Sequence, residues 1–268
     1  MPAPLAAAVR RPVMLQHWRR LTFLHWPYPP PAVQALLPPG LEVETFDGAA
    51  WVGLVPFLMD GVRPPGVPPL PWASRFPETN VRTYALGPDG RGAIWFLSLD
   101  AARLGAVLTA RASYALPYFW SRMSVGSGAP PDPGVTGAAG PAPAGPRVDR
   151  LAYRGRRRWP RPAGVGCDAD VEMGAPFEPA ELGPLDHFLT ARYRLWTVVA
   201  GRLAAADAEH PPWSLRRARV VDLEQDLLEA AGLPRPDGTP LVHGADGVRV
   251  RIGAWHRVRA AAPAPGRS

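Results

Sequence analysis

Short strand-like segments separated by tight turns are the feature that most restricts the fold of this chain. Residues 41–46 (Leu-Glu-Val-Glu-Thr-Phe) alternate apolar and polar side chains, as expected for a half-buried strand. Asp47 and Gly48 follow as a hairpin turn, and residues 51–58 are predicted as the return strand. Similar segments recur along the sequence, so the chain is predicted to be rich in β-structure.

About ten short strands and four brief helices are expected from these patterns. No strand–helix–strand repeat is visible, so a doubly wound nucleotide-binding fold is not expected. The prediction is an α+β fold, mainly β, built as a coiled antiparallel sheet or barrel with a few short flanking helices. Helices are predicted at 32–37, 101–113, 185–191 and 223–231, and the last strand at 248–258.

A single domain is predicted over residues 13–259. Residues 126–146 are almost wholly Gly, Pro and Ala, and we expect a flexible insertion because this composition buries too little apolar surface to order itself. Disordered tails are expected at 1–12 and 260–268. No segment approaches about eighteen uninterrupted apolar residues, so no membrane partner is expected and the protein is predicted to be soluble and cytoplasmic. The sequence leaves open whether the protein forms a homo-oligomer.

Lysine is absent from the sequence, so all 30 Lys+Arg cations are arginines. No side-chain amine is therefore available for a Schiff base, a carbamate or a lysine general base. The formal net charge of +7 raises a nucleic-acid alternative, centred on the arginine cluster at residues 147–161. Because guanidinium never deprotonates, replacing lysine by arginine raises the pI without adding charge, and nucleic acid is the less favoured partner.

Metal and cofactor signatures are missing from the sequence. The single cysteine, Cys167, excludes an intrachain disulfide and a thiolate-based zinc site. The six histidines show no H-x-x-x-H or H-E-x-x-H spacing, and no phosphate loop, dinucleotide fingerprint or nucleophile elbow is present. We therefore expect no metal and no cofactor.

The only asparagine lies in a polar segment, residues 76–84 (Phe-Pro-Glu-Thr-Asn-Val-Arg-Thr-Tyr). Because side chains alternate along a strand, four same-face positions carry an acid, an amide, a guanidinium and a phenol. These residues are called the polar row, and they are Glu78, Asn80, Arg82 and Tyr84. The same alternation in the next strand predicts one face with Ile94, Phe96, Ser98 and Asp100, and another with Trp95, Leu97 and Leu99.

Two interpretations of the polar row remain open at this level. In the first, it lines a binding cavity, where Arg82 binds a carboxylate in bidentate fashion and Glu78 transfers a proton. In the second, it is a solvated outer face, where Arg82 pairs with Asp100 or Glu78 in a salt bridge that contributes about 0–1 kcal/mol.

Five motifs in order carry a resemblance to a known family. They are 76–84, 95–101 (Trp-Phe-Leu-Ser-Leu-Asp-Ala), 116–119 (Leu-Pro-Tyr-Phe), 187–193 (His-Phe-Leu-Thr-Ala-Arg-Tyr) and 210–213 (His-Pro-Pro-Trp). Together they resemble the YqjF-like family, a domain of unknown function that is similar in fold to acetoacetate decarboxylase. The resemblance implies a coiled antiparallel β-barrel with helices packed outside and a central pocket. It does not imply an activity, since function belongs to the site.

The same resemblance implies how the site departs from that enzyme. Acetoacetate decarboxylase forms its Schiff base on a lysine that follows a proline, and the corresponding stretch here is Pro117, Tyr118 and Phe119. Glu78 corresponds to a conserved acid of the enzyme. We therefore expect a pocket for a small organic, acidic ligand, without Schiff-base chemistry.

Roles for the site residues follow from this expectation. Glu78 and Tyr84 are the candidate catalytic acid or base if there is turnover. The ligand-binding candidates are Asn80, Arg82, Trp95, Asp100, Tyr118 and Phe119, with the aromatic residues walling the cavity. The alternatives are a lysine-independent lyase or isomerase and, less favoured, a nucleic-acid-binding protein.

Overall fold

A computed structural model describes residues 8–70, 72–127 and 149–258. Of the expected tails and insertion, residues 1–7, 128–146 and 260–268 lie outside the described residues. Within the described ranges, the first strand already begins at Pro12, and Gly126 and Ser127 belong to a strand.

Strands dominate the described part of the chain. In order they are β1 (Pro12–Tyr28), β2 (Glu42–Val43), β3 (Thr45–Phe46), β4 (Ala49–Arg63), β5 (Phe76–Leu86), β6 (Gly92–Ala101), β7 (Tyr118–Ser127), β8 (Asp149–Trp159), β9 (Gly166–Pro176), β10 (Arg194–Val199), β11 (Arg202–Glu209), β12 (Leu215–Gln225), β13 (Leu241–Gly253) and β14 (His256–Arg257). The predicted last strand therefore begins earlier, at Leu241, and is interrupted after Gly253.

All of these strands belong to one sheet, and its pairings close on themselves. Each member of the series β5, β6, β10, β11, β13, β1 and β4 pairs with the next, and β4 pairs again with β5. Most pairs are antiparallel, as predicted, but β6 runs parallel to both β7 and β10. The sheet is therefore mixed. The parallel β6–β7 pair is possible because a helix returns the chain from the end of β6 to the start of β7.

The described helices are short and flank the sheet: α1 (Pro30–Gln34), α2 (Leu104–Tyr114), α3 (Pro184–Thr190) and α4 (Leu227–Ala230), with a 3-10 turn at Pro179–Glu181. The predicted helix at 223–231 is wrong in its first half. Leu223 pairs with Ala169 of β9, so the ladder with β9 continues the strand to Gln225 despite the local helical pattern. None of the helices in the described residues has the length and apolar character needed to span a membrane.

Hydrophobic clusters cover both faces of the central strands β1, β4 and β5. Along β4, Val52 and Leu54 pack into one cluster together with Val81 of β5, whereas Val55 and Phe57 pack into another. A strand covered on both faces carries a nearly continuous apolar sequence, as β4 does. Polar side chains on β5 are therefore enclosed whichever way they point.

Candidate functional site

The polar row lies in the protein interior. Relative exposure is 2% for Glu78, 7% for Asn80, 6% for Arg82 and 0% for Tyr84. The ladder between β4 and β5 is regular from Phe76 to Thr83, so alternation along β5 is undisturbed. A solvated outer face is therefore the wrong interpretation of these residues.

A bulge in β6 changes which side chains share a face with the polar row. Val81 is paired with Ser98 but Arg82 with Phe96, so Leu97 has no opposite residue on β5. One extra residue reverses the direction of every side chain beyond it. The predicted common face of Ile94, Phe96, Ser98 and Asp100 is therefore wrong. Of these four residues, only Ile94 and Phe96 share the face of the polar row.

Asp100 lies on the opposite face, where it forms a buried ion pair with Arg157. Arg157 Nε and Nη2 donate to the two carboxylate oxygens at 2.9 and 2.7 Å, and Ser121 Oγ donates at 2.7 Å. The two charged side chains are 1% and 3% exposed. The predicted pairing of Asp100 with Arg82 is therefore wrong, since Arg157 of β8 fully occupies the carboxylate.

Two other predicted ligand residues lie on the same side of the sheet as Asp100, away from the polar row. The ring of Phe119 stacks under the Arg157 guanidinium, with 3.5 Å between the guanidinium carbon and the ring centroid. Trp95 pairs in register with Thr83 and packs against a cluster that includes Trp196. Of the aromatic candidates, the structure brings only Tyr118 to the polar row.

Tyr118 meets the end of the polar row at Glu78. Its hydroxyl lies 3.2 and 3.4 Å from the two carboxyl oxygens. Burial raises the pKa of Glu78 to about 8, and the hydrogen bond from Tyr118 offsets only part of this effect. Burial together with the neighbouring Glu78 charge raises the pKa of Tyr118 well above its usual value. Glu78 is therefore mostly protonated at neutral pH and can act as an acid.

Tyr84 connects the polar row to α3 and to β1. Its hydroxyl lies 2.7 Å from the carbonyl oxygen of Leu189 and 2.8 Å from His25 Nε2. Because the Leu189 oxygen also accepts from Arg82 Nη2 at 3.0 Å, the Tyr84 hydroxyl can donate either to Leu189 or to His25 Nε2, and that choice sets the tautomer of His25. The Nδ1 atom of His25 is buried and has no hydrogen-bond partner among the described residues.

Burial lowers the pKa of His25 well below its usual value, and the nearby Arg82 and His243 charges lower it further. His25 is therefore neutral. Its ring fits because the cross-strand neighbour is Gly53, where a Cβ would lie 2.9 Å from His25 Nε2 and 3.5 Å from Arg82 Cγ. Glycine at this position lets His25 and Arg82 approach from the two flanking strands.

Arg82 is a buried cation that has no counter-ion among the described residues. Its Nη2 donates to Leu189 O at 3.0 Å and to Tyr84 Oη at 3.4 Å, and its guanidinium carbon lies 5.3 Å from the Phe23 ring centroid. Within the described ranges, Nε has no hydrogen-bond partner. None of the ion pairs found there includes Arg82.

A second histidine, His243 of β13, lies on the same face. It pairs in register with Phe23, which lies two residues before His25 on β1. Its Nε2 lies 2.9 Å from Asp186 Oδ1, and the other carboxylate oxygen accepts from the Gly183 backbone at the start of α3. Burial lowers the pKa of His243, although Asp186 opposes this shift.

Neither His25 nor His243 was identified from the sequence. The available signal was a histidine inside an apolar strand, as in residues 21–26 (Leu-Thr-Phe-Leu-His-Trp). That pattern does not reveal which ring atoms lack partners, because Tyr84 and Asp186 come from distant segments.

Several other features bear on the expected partners. Two surface clefts, one around Arg19 and Asp246 and one around Arg122 and Asp168, contain no residue of the polar row. Among the described residues, no group of three or more His, Cys, Asp or Glu side chains could hold a metal ion.

The arginine cluster at residues 147–161 is largely paired with acids. The pairs are Arg150 with Glu172, Arg154 with Asp170, Arg156 with Asp168 and Arg157 with Asp100. These pairs reduce the positive charge available for nucleic acid.

Comparison with known proteins identifies relatives over most of the chain. Residues 15–249 match the family DUF2071, described as an uncharacterized conserved protein. The uncharacterized protein YqjF of Bacillus subtilis (strain 168) is 34% identical over 233 residues, which cover 87% of this chain and 87% of that protein.

Solved structures are similar in fold at low identity. The enduracididine biosynthesis enzyme MppR, complexed with pyruvate, has a TM-score of 0.60 and 15% identity, covering 95% of this chain and 93% of that one. An acetoacetate decarboxylase-like enzyme from Sphingomonas wittichii RW1 has a TM-score of 0.59 and 13% identity, with coverage of 94% and 95%. Acetoacetate decarboxylase from Legionella pneumophila subsp. pneumophila str. Philadelphia 1 has values of 0.55 and 12%, with coverage of 96% and 93%. The predicted fold type is confirmed.

Proposed function

The chain belongs to the uncharacterized conserved family DUF2071, and from that premise we propose that it binds a small organic acid at Arg82. The observation that supports the proposal is the buried guanidinium, which has no carboxylate partner in the described part of the chain. Removing an ion from water costs several kcal/mol unless an opposite charge and hydrogen bonds compensate. A carboxylate supplies both, because it accepts short charge-assisted hydrogen bonds from guanidinium.

Neighbouring groups suit a small ligand. Asn80, the next residue of the polar row, has a buried Oδ1 without a partner in the described part of the chain. Phe23 packs beside the guanidinium and supplies an apolar wall. Because the whole row is buried, a ligand reaches Arg82 only when the covering segment around Leu189 moves. We therefore propose that α3 acts as the cover of the site.

The structure of MppR supports the proposal, since that protein is complexed with pyruvate, a small carboxylic acid. At 15% identity this shows that the fold can hold such a molecule, and the residues that hold it here are proposed from their own geometry. No lysine is present, so we propose binding without a side-chain Schiff base.

A thermal-shift screen of small carboxylic acids tests the proposal. Wild-type protein is expected to gain stability with at least one acid, because a ligand that binds the native state raises its melting temperature. Arg82→Gln should remain folded and lose that response. Arg19→Gln, which removes a half-exposed arginine paired with Asp60, is the matched control and should keep it. Equal responses in wild type and Arg82→Gln would refute the site.

A second candidate is a lysine-independent lyase or isomerase. The observation that favours it is the buried Glu78 carboxyl, which is held beside Tyr118 and is protonated near neutral pH. In this version Glu78 donates a proton to a bound acid. Nuclear magnetic resonance of acids incubated with wild type and Glu78→Gln is the test. Conversion by wild type alone supports turnover, and no conversion by either supports binding only.

A further inference from the structure

Exposed apolar side chains are concentrated in three segments of the described structure. Nine large hydrophobic residues are exposed there, and six of them belong to the loop between β4 and β5, to α2 and to the end of β8. These six are called the apolar patch, and they are Val67, Leu70, Trp72, Leu104, Leu108 and Trp159. The other three are valines on β1, β10 and β12. Single exposed residues are ordinary, whereas a group of them marks an interaction surface.

Direct contacts connect the three segments of the apolar patch. Arg103, which precedes α2, donates from Nε to the Trp72 carbonyl oxygen at 3.0 Å. The two exposed leucines of α2 and then Arg111 follow at positions i, i+4 and i+7, so they lie along one flank of the helix. At the other end of this flank, the Arg111 guanidinium carbon lies 5.6 Å from the ring centroid of Trp159. The loop, the helix and the end of β8 therefore present their exposed apolar side chains together.

The charged residues in the segments that carry the apolar patch are all arginines. Residues 61–77, 101–127 and 157–165 contain eight arginines and no aspartate or glutamate. Of these eight, only Arg157 takes part in an ion pair in the described ranges, with the buried Asp100. The apolar patch is therefore accompanied by positive charge, which suits a negatively charged partner.

The form of the apolar patch favours a lipid surface over a protein segment. A docked peptide occupies a groove, and neither of the two surface clefts contains a residue of the patch. Trp72 is instead 73% exposed. Tryptophan and leucine side chains with arginines beside them are typical of the membrane–water interface, where guanidinium groups bind lipid phosphates. A second copy of the same surface would be repelled by its like charge.

The backbone of the loop between β4 and β5 suits such an interface. Five of the eight residues at 64–71 are prolines, which have no N–H donor. The backbone N–H groups of Val67, Ala73 and Ser74 donate to carbonyl oxygens of the loop itself. Because few donors are left to water, the loop loses few hydrogen bonds when it enters a lipid interface.

We infer that the apolar patch binds anionic membrane surfaces, with its tryptophans and leucines in the interface and the neighbouring arginines on lipid phosphates. The expectation of no membrane partner followed from the lack of a long apolar segment, which concerns spanning and not contact with the surface. The inference is independent of the proposed function, because the patch contains no residue of the polar row.

Flotation of the full chain with lipid vesicles tests the inference. One set of vesicles contains phosphatidylcholine alone, and the other contains equimolar phosphatidylcholine and phosphatidylglycerol. The wild type is expected to bind the anionic vesicles about tenfold or more tightly than the neutral ones, and this binding should weaken as salt is added. Failure to bind the anionic vesicles, or equal binding to both sets, would overturn the inference. Binding to poly-L-glutamate and to neither set of vesicles would assign the surface to an acidic protein and overturn it too.

Matched variants test whether the apolar patch is the binding surface, and melting temperatures establish that each variant folds. Trp72→Ser should weaken binding to anionic vesicles about tenfold, because binding strength follows the apolar area buried. Val221→Ser changes an exposed apolar residue of β12 and should bind as wild type does. Arg103→Gln should weaken binding more than Arg235→Gln, which removes an exposed arginine elsewhere. Wild-type affinity in Trp72→Ser would overturn the assignment, as would equal losses in the two arginine variants.

Discussion

The guanidinium of Arg82 donates a 3.0 Å hydrogen bond to the main-chain oxygen of Leu189, near the end of α3. The Tyr84 hydroxyl lies 2.7 Å from the same oxygen, so β5 and α3 meet at a single carbonyl. This bond uses only one nitrogen of the guanidinium and brings no negative charge. Arg82 therefore ties α3 to β5, and its Nε, which has no partner among the described residues, is the atom that the proposed function assigns to an anion.

Gly53→Ala is predicted to disturb His25 more than its size suggests. The new Cβ would lie 2.9 Å from the His25 ring, and overpacking of this kind costs about 1–3 kcal/mol. Urea unfolding is the measurement. Gly105→Ala is the control, because its Cβ would meet nothing within 4 Å in α2, and it should leave stability unchanged or slightly higher. Equal stability of Gly53→Ala and wild type would show that the ring is not confined.

Glu78→Gln is predicted to change how stability depends on pH. The pKa of Glu78 is raised to about 8 from its usual 4.5, so between these values the native protein holds a proton that the unfolded chain releases. Wild-type stability contributed by this group is thus present at low pH and is lost as pH rises towards about 8. Glutamine cannot ionise, so the variant should melt at least about 3 °C above wild type at about pH 9.

Melting curves at about pH 5 and about pH 9 measure this effect. The difference between variant and wild type should be small at the lower pH, where the carboxyl is largely protonated in the native protein. A variant that is less stable than wild type at the higher pH would show that Glu78 is ionised and held by its surroundings.

Breaking the Asp100–Arg157 pair is predicted to destabilise the protein strongly. Asp100→Asn leaves the Arg157 charge buried and should cost about 3–5 kcal/mol in free energy of unfolding. The partly exposed pair of Asp170 with Arg154 provides the comparison, and Asp170→Asn should cost about 0–1 kcal/mol. Chemical denaturation measures both. Similar small losses in the two variants would mean that the Asp100 pair is not a structural ion pair.

Local sequence patterns predicted that the residues of the polar row share one face, because the alternation of side chains along β5 is a property of that strand alone. They did not give the face of Asp100, since the bulge at Leu97 depends on how β6 pairs with β5. Nor did they give its partner Arg157, which lies 57 residues away in sequence. Alternation predicts which residues share a face, and only the closed sheet determines which faces are buried.

The hydrogen bond between His25 and Tyr84 could not be predicted from the sequence, for a related reason. Its tautomer depends on Tyr84, 59 residues away, and on a main-chain oxygen of α3 that no residue type reveals. The family resemblance pointed to Glu78 and Tyr118 as site residues, and the structure places their side chains in contact. The same resemblance pointed to Phe119, but its ring packs on Arg157.

The arginine Nε–H resonance of Arg82 provides the most direct test of the central claim, that this buried cation binds a carboxylate. Nitrogen-15-labelled protein is titrated with lactate, and the Arg82 signal is assigned by its absence in Arg82→Gln. The account predicts that this resonance moves in a saturable manner, because Nε gains a hydrogen-bond acceptor, while the signals of exposed arginines such as Arg219 stay in place. An Arg82 signal that stays unchanged when lactate, pyruvate and acetoacetate are each added to saturating concentration would contradict it.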